Sequence, residues 1–378
     1  MLITTQLAIC LLFLKSKFSA VNLKKTSIIL AILFPIQVLI IQGLSNYSEA
    51  IENYYSNGIY PYISQLLRII LGWIPFSFGD VLLFMLIFTG LRFLVLLIKK
   101  RFRNLIPKTI NIAAFFSIIH FFFYLFWGLN YFRKPLSENL SYTQKKYSNK
   151  ELTNTIDKIV KELNSCQLKI TKNDTIKVAP PLKIEEMYDV ALASYENLAK
   201  KYPKLKYKHK SMKNSFMSLL QTYNGTTGYI NPITGEAQIN KRVPKTSLPT
   251  TVCHEIAHQI GFAAENEANF VGFLAANYND DIYFKYASYR MAFGYSISEV
   301  RKRNQELSSQ LWQTLNKGVI KDFNTSYEFW QQYKNPFEPL VKKGYNAYLK
   351  ANKQAKGTDS YSYVVDLLVS YLEETKQI

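Results

Sequence analysis

The chain has 378 residues, enough for a membrane part and one soluble domain with its own core. The formal net charge is +19, but the lysines are spread along the chain and accompany no zinc-finger, helix-turn-helix or RNP-like signature, so we expect no nucleic-acid partner. The three cysteines, Cys10, Cys166 and Cys253, are too few and too scattered for a disulfide framework or a cysteine zinc site.

Three apolar segments near the N-terminus are long enough to cross a bilayer, namely residues 26–44, 81–98 and 110–129. Basic residues cluster before the first segment and between the second and third. The intervening loop carries Arg68 as its single basic residue. The positive-inside rule therefore places the N-terminus in the cytoplasm and the chain after residue 129 outside it. We predict a multi-pass protein in contact with a lipid bilayer.

The loop between the first two spans contains the stretch IYPYISQLLRIILGWIPFSFGD, residues 59–80. Its aromatic and apolar side chains are interrupted by proline and glycine. This composition favours an interfacial or re-entrant segment over a fourth crossing.

From about residue 135 the hydrophobicity falls and helical periodicity takes over, so we place an extracytoplasmic domain at residues 135–378 and a membrane region at residues 1–134. Residues 215–224 (SFMSLLQTYN) and 236–240 (EAQIN) are predicted to be short strands around the turn-rich GYINPITG. The rest of this domain has mostly helical patterns. The predicted fold is three N-terminal transmembrane helices followed by a mainly α domain with a small β-sheet.

The segment HEIAH, from His254 to His258, holds two of the four histidines in the chain. Residues four apart share one face of an α-helix, so both imidazoles can reach one metal ion. Glu255 lies about 100° around the helix from His254, beside that ion, where the base for a hydrolytic water must stand. Ser247 can cap this helix and Gly261 can close it. The pattern predicts a Zn²⁺ site, although such nitrogen and oxygen ligands also accept Co²⁺ or Mn²⁺.

A hydrolytic zinc site needs a third protein ligand and one open position. His120 lies in a predicted span and His209 in a lysine-rich stretch, so the candidates are the acidic residues of ENEANF. Glu265 and Glu267 are about 200° apart on a helix, so only one of them can be the ligand. The element E-x-x-A-N, from Glu265 to Asn269, resembles the zinc-binding element of small gluzincin peptidases. The overlapping N-E-A is similar to the thermolysin-type element and would favour Glu267. We prefer Glu265.

The acidic segment follows the histidines much sooner than in typical gluzincins, because Glu265 comes only seven residues after His258. A sharp turn at residues 261–263 must fold the second helix back onto the first, or the ligand assignment fails. The alternative is an ordinary buried helix whose histidines are satisfied by hydrogen bonds.

Four segments together resemble a bacterial membrane family known as domain of unknown function 3810: GWIPFSFGD, GYINPITGEAQIN, CHEIAHQIGFAAENEANF and KGTDSYSYVVDLL. The resemblance covers nearly the whole chain, from the first span to the final helix. It implies a zincin-like fold with an HExxH motif and a location in the bacterial inner (plasma) membrane. It implies no substrate.

Two further features concern substrate binding. In zincins a strand beside the metal helix binds an extended peptide as an added strand, and residues 227–240 are the candidate here, with a purely structural hairpin as the alternative. A tyrosine can assist the metal in stabilising the oxyanion, and the candidates are Tyr361 and Tyr229.

These features predict a membrane-anchored zinc metallopeptidase with a peptide or protein substrate near the membrane surface. His254, His258 and Glu265 would bind the metal and Glu255 would be the general base. Two alternatives are a zinc-dependent hydrolase of non-peptide amides, for instance in the cell wall, and a catalytically idle membrane scaffold or sensor. An intact Glu255 argues against the scaffold, since a structural zinc site has no use for that carboxylate.

Overall fold

The computed structural model describes residues 20–99, 101, 105–140, 146–354 and 362–375. These residues are mainly helical. The helices of six or more residues with α geometry are α1 (Ala20–Leu44), α2 (Tyr60–Gly72), α3 (Phe78–Lys99), α4 (Leu105–Phe126), α5 (Asn149–Thr171), α6 (Ile184–Lys201), α7 (Ser218–Tyr223), α8 (Leu248–Gln259), α9 (Glu265–Asn277), α10 (Ile282–Arg303), α11 (Gln305–Gln313), α12 (Lys317–Gln331), α13 (Glu338–Ala351) and α14 (Ser362–Thr375). The strands are β1 (Met212–Asn214), β2 (Gly228–Ile230) and β3 (Ala237–Ile239).

Three helices are long and apolar enough to cross a membrane: residues Lys25–Leu44 of α1, all of α3 and all of α4. In each helix, at most 11% of an apolar 18-residue stretch is buried in the protein. The apolar side chains therefore face outward, as contact with lipid requires. The three predicted apolar helices are therefore confirmed. The third begins five residues earlier than predicted, at Leu105.

The chain forms two compact units. One contains the described residues up to 45 together with residues 87–125, and the other contains residues 46–86 together with 126–378, so α3 begins in the second unit. The loop between the first two apolar helices thus belongs with the later part of the chain. The start of an extracytoplasmic domain at residue 135 stays a prediction.

The core of the second unit centres on α8 and α9, which pack along each other and against α6 and α10. Val252 and Ile256 of α8 and Phe270 and Val271 of α9 are fully buried. Full burial of one such side chain contributes about 1.5–3 kcal/mol, so this pair of helices is held firmly in the interior. The polar residues between these apolar ones are consequently enclosed as well.

The described strands form one sheet in the order β1-β3-β2, with β1 parallel and β2 antiparallel to β3. The predicted strand at residues 236–240 is confirmed as β3. The predicted strand at residues 215–224 is wrong, because these residues contain α7. The buried Asp80 carboxylate accepts hydrogen bonds from the Ser215 hydroxyl (2.9 Å) and the Phe216 N–H (2.7 Å), which turn the chain out of β1 and into this helix.

The first turn of α3 is bonded to the sheet by two buried carboxylates. Glu236 accepts hydrogen bonds from the N–H groups of Phe78 (3.2 Å) and Gly79 (2.5 Å). Asp80 accepts a hydrogen bond from the Tyr229 hydroxyl of β2. Carboxylates are favourable at a helix N-terminus because they satisfy free N–H groups and complement the helix dipole.

Helix α2 turns polar side chains toward the interior of the second unit. Tyr60, Ser64 and Arg68 are four residues apart and therefore share one face. All three donate hydrogen bonds to the main-chain oxygen of Gln259, at 2.9, 2.7 and 3.1 Å respectively. The last carbonyl groups of a helix have no partner within it, so α2 supplies the donors that the end of α8 requires.

A buried ion pair joins the segment before α2 to the turn after α8. Arg133 donates from Nη2 to Oε1 of Glu52 (2.7 Å) and from Nε to Oε2 (3.0 Å), and both side chains are almost completely buried. A third nitrogen of Arg133 donates to the main-chain oxygen of Gly261 at 2.9 Å. Burial alone would raise the pKa of Glu52, but Arg133 lowers it overall.

We expect Arg133→Met to destabilise the full-length protein by about 3–5 kcal/mol, because Glu52 would be left as an unpaired buried charge. The measurement is denaturant-induced unfolding of the full chain in detergent micelles. Since folding lowers the pKa of Glu52, its contribution is complete above the ordinary value of 4.5 and is lost as the pH falls through the lower folded-state value.

The control is Glu373→Gln, which removes one partner of the half-exposed pair Lys158–Glu373 (3.7 Å). Such pairs contribute about 0–1 kcal/mol. Equal destabilisation by the two substitutions would contradict a special role for the buried pair.

Candidate metal centre

Helix α8 ends in a tight turn that reverses the chain. Gly261 has φ +97°, which residues with side chains rarely adopt, and a Cβ there would also lie 2.9 Å from the Tyr60 ring. The Phe262 N–H donates to the main-chain oxygen of Ala257 at 3.0 Å. Helix α9 then starts at Glu265 and returns along α8. This reversal is the turn that the proposed ligand spacing requires.

The start of α8 differs in one detail from the expectation. Ser247 immediately precedes the helix and Pro249 lies in its first turn, but the Ser247 side chain accepts no capping hydrogen bond. Its hydroxyl oxygen instead accepts from Nη1 of Arg290 at 3.2 Å. The helix begins where predicted without the predicted side-chain cap.

The reversal brings three potential ligand groups together. Nε2 of His254 lies 3.5 Å from Oε2 of Glu265, and Nε2 of His258 lies 3.6 Å from Oε1 of the same carboxylate. Ligand atoms about 2.0–2.1 Å from a tetrahedral zinc ion are about 3.4 Å from one another. The two nitrogen–oxygen separations match this spacing, and ligand nitrogens of the two histidines lie within 4.8 Å of each other, so the residues suit a zinc ion in chemistry.

Contacts through Nδ1 and through the ring fix the orientation of the His258 side chain. Its Nδ1 is 2.7 Å from the main-chain oxygen of Phe262, so that nitrogen carries the proton and Nε2 presents its lone pair to the other ligand groups. The Trp127 ring meets the imidazole edge to face at 5.9 Å. The Trp127 Nε1–H donates to the main-chain oxygen of the same histidine at 3.0 Å. A ligand histidine held in this way needs little reorganisation to bind a metal.

Glu255 stands beside the three ligand groups. One of its carboxylate oxygens lies within 4.8 Å of ligand nitrogens on both His254 and His258. The side chain is buried, and its Oε2 has no hydrogen-bond partner among the described residues. Strand β2 passes directly over it, since a Cβ at Gly228 would lie 2.6 Å from Oε1. An unpaired buried carboxylate oxygen beside two imidazoles suits a water or substrate proton.

The environments of the two carboxylates separate their pKa values. Burial raises the pKa of Glu255 to about 8. Burial would also raise that of Glu265, but the hydrogen bond with His254 and the charge that His258 carries at low pH lower it to about 2. Glu265 is therefore ionised at neutral pH and suited to bind a cation, whereas Glu255 keeps its proton at neutral pH when no cation lies beside it.

The histidines also differ. Burial, followed by the charge of His254, lowers the pKa of His258 to about 4, so His258 is neutral and able to coordinate a metal. Burial alone would lower the pKa of His254 too, but its hydrogen bond with Glu265 and the charge of Glu255 raise it overall.

Glu267 points away from the histidines. Its Oε1 accepts a hydrogen bond from the Leu136 N–H at 2.7 Å. Burial raises its pKa to about 7. The structure thus brings Glu265 to the two histidines and leaves Glu267 to hold the segment that precedes α5.

The tyrosine at this centre is one that sequence reasoning missed. The hydroxyl of Tyr345, on α13, donates to Oε1 of Glu265 at 2.5 Å. Of the predicted candidates, Tyr229 donates its hydroxyl to Asp80, and Tyr361 lies outside the described residues. Tyr345 follows Glu265 by 80 positions and sits in an amphipathic helix with no motif, so no local signal pointed to it.

The candidate centre lies within a region of the chain that matches a known protein family. The model of the family described as Protein of unknown function (DUF3810) matches residues 55–369. The chain belongs to this family. The expected family is therefore confirmed over residues 55–369, which begin after the first predicted span. The matched region includes α2, the sheet, both helices of the centre and Tyr345. No curated protein matches the chain, and no solved structure matches it.

We expect the purified full-length protein to contain about one zinc ion per chain. His258→Ala and Glu265→Gln should each remove it, because each deletes one of the ligand groups. The measurement is metal content by mass spectrometry after dialysis against a weak chelator.

The matched control is Glu267→Gln, an identical change in the same helix at a carboxylate that does not face the histidines. It should retain the zinc. Zinc lost from Glu267→Gln and retained by Glu265→Gln would contradict the ligand assignment.

Proposed function

We propose that this DUF3810 protein is a membrane-anchored zinc metallopeptidase. The observation that carries the proposal is the grouping of His254, His258 and Glu265, with each imidazole Nε2 3.5–3.6 Å from a Glu265 oxygen, beside the unpaired Oε2 of Glu255. This arrangement supports a zincin-like site on α8 and α9. The three apolar helices and the distribution of basic residues support an extracytoplasmic site at the bacterial inner membrane.

Each residue has a chemical role in this proposal. A zinc ion held by the three ligand groups would polarise the scissile carbonyl and lower the pKa of a water molecule. Burial raises the pKa of Glu255 to about 8, and the charge of a zinc ion beside it would lower that pKa, so that Glu255 would accept the proton of the water and then pass it to the leaving amine. Tyr345 would keep the Glu265 carboxylate oriented through its hydrogen bond.

The position of β2 favours an extended peptide as substrate. Within the described part of the chain, β2 pairs with β3 alone, so its other edge has no strand partner. This strand also borders the proposed base, because Gly228 lies against the Glu255 carboxylate. A peptide paired with β2 would be held in register by main-chain hydrogen bonds next to the base. Amides without a peptide main chain would make no use of that edge.

The environment of Glu255 argues against an idle scaffold. A buried polar atom without a partner costs about 1–3 kcal/mol of stability. A protein with a purely structural zinc site would gain stability from an apolar residue at this position. The unpaired carboxylate is better explained by a proton-transfer role.

Glu255→Gln should keep the zinc and lose hydrolysis, because the amide cannot accept the proton. We expect peptide cleavage to fall at least about 100-fold, the range for loss of a general base. The assay is cleavage of a degenerate peptide library by the full-length protein in nanodiscs, read by mass spectrometry, with zinc content measured on the same samples. A zinc-loaded wild type that cleaves no library peptide, or a Glu255→Gln variant with unchanged cleavage, would contradict a peptidase.

Tyr345→Phe should weaken zinc binding or activity by about 10–100-fold, because such hydrogen-bond partners orient metal ligands. Zinc affinity is measured by competition with a chromogenic chelator. Tyr348→Phe is the matched control, since this hydroxyl lies in the same helix and contacts the Tyr131 hydroxyl at 3.3 Å. Equal loss in both variants would assign the effect to the packing of α13 rather than to the Glu265 contact.

A further inference from the structure

Helix α2 is amphipathic with its faces reversed relative to a soluble protein. Its inward face is polar, consisting of Tyr60, Ser64 and Arg68, all buried. Its outward face carries large apolar side chains, with Leu66 56%, Ile70 51% and Trp73 78% exposed. A helix on the surface of a soluble domain normally places its apolar side chains inward and its polar ones outward.

The polar side chains of α2 form hydrogen bonds within the second unit. The helix therefore cannot rotate to bury its apolar side chains. Arg68 also donates from Nε to the main-chain oxygen of Lys208 at 3.1 Å. The Lys213 ammonium donates to the main-chain oxygen of Gly72 at 2.8 Å at the C-terminal end of the helix. The outward apolar face is therefore a fixed feature of the fold.

The apolar surface continues beyond the helix. The Phe76 ring stacks on the Phe216 ring with 6.4 Å between centroids, and Phe216 is 56% exposed. Phe216 is in turn held beside the first turn of α3, because its N–H donates to Asp80. The α2 face, defined as Leu66, Ile69, Ile70, Trp73, Phe76 and Phe216, thus runs up to the start of a membrane-spanning helix.

Chain length ties this face to the bilayer. Phe78, the first residue of α3, follows Trp73 by five residues, which can span at most about 18 Å. Trp73 is therefore never farther than this from the beginning of a span. Tyrosine and tryptophan side chains such as Tyr62 and Trp73 are the ones favoured at the boundary between lipid and water.

We propose that the α2 face lies in the interfacial region of the lipid bilayer and docks the second unit on the membrane surface. The partner is the bilayer itself, because the face is apolar, aromatic at its edges and joined directly to a span. Since the opposite face of α2 holds the main-chain oxygen of Gln259, the same helix would set the C-terminal end of α8 close to the lipid surface. This inference does not depend on the proposed peptidase activity.

The test compares two isoleucines with nearly equal exposure, Ile70 (51%) on the α2 face and Ile176 (50%) in the turn after α5. Each is changed to cysteine in a Cys10→Ser background and labelled with the fluorophore NBD. The remaining native cysteines, Cys166 and Cys253, are buried and should not react with the label. The full-length protein is placed in phosphatidylcholine and phosphatidylglycerol nanodiscs with nitroxide-labelled lipids. Trp73→Cys is a second position on the face, and Phe88→Cys in α3 marks the hydrocarbon core.

We expect NBD at positions 70 and 73 to be blue-shifted and quenched at least twofold, more strongly by shallow than by deep nitroxides. NBD at position 88 should respond more to deep nitroxides, and NBD at position 176 to neither. A water-like, unquenched signal at positions 70 and 73 would overturn the proposal in favour of a solvent-exposed face. A blue-shifted but unquenched signal would also overturn it, because protein from a second copy would then cover the face.

Discussion

The candidate centre depends on the reversal of the chain between α8 and α9. The two histidines belong to one helix and the glutamate to the next, so they can meet only if the second helix returns along the first. The left-handed conformation of Gly261 makes this possible within five residues, from Ile260 to Ala264. The position of Glu265 beside both histidines, and the low pKa of its carboxyl group, follow from this turn.

The turn is stabilised mainly by residues far away in sequence. The main-chain oxygens of His258, Gln259 and Gly261 accept hydrogen bonds from Trp127, from the polar face of α2 and from Arg133. The His258 oxygen also accepts the Gly261 N–H at 3.1 Å, whereas the oxygens of Gln259 and Gly261 lie at the helix end and depend on these distant donors, because an unpaired buried carbonyl group is costly. The segments on either side of α3 and α4 are therefore part of the framework of the centre.

Sequence reasoning succeeded where a pattern is local. The spacing of His254 and His258, the apolar spans and the strand at residues 236–240 are set by helix geometry, hydropathy and turn residues close in the chain. The preference for Glu265 over Glu267 came from a short motif, and the structure places that carboxylate beside the histidines. Sequence reasoning failed where residues distant in the sequence determine the local structure or complete the centre. Asp80 diverts residues 215–224 from a strand into α7, and Tyr345 reaches Glu265 from a helix that carries no motif.

The residues that donate hydrogen bonds to the C-terminal end of α8 come from separate parts of the chain, and this affects how the protein folds. Trp127 and Arg133 follow α4, and the polar face of α2 precedes α3, so the chain that completes the centre is interrupted by two apolar helices. If both helices cross a membrane, the two flanking segments can meet α8 only when they emerge on the same side of it. Assembly of the centre would then be coupled to membrane insertion. Release of residues 135–378 by a protease would separate α8 and α9 from Trp127, Arg133 and the polar face of α2, which support the turn between them.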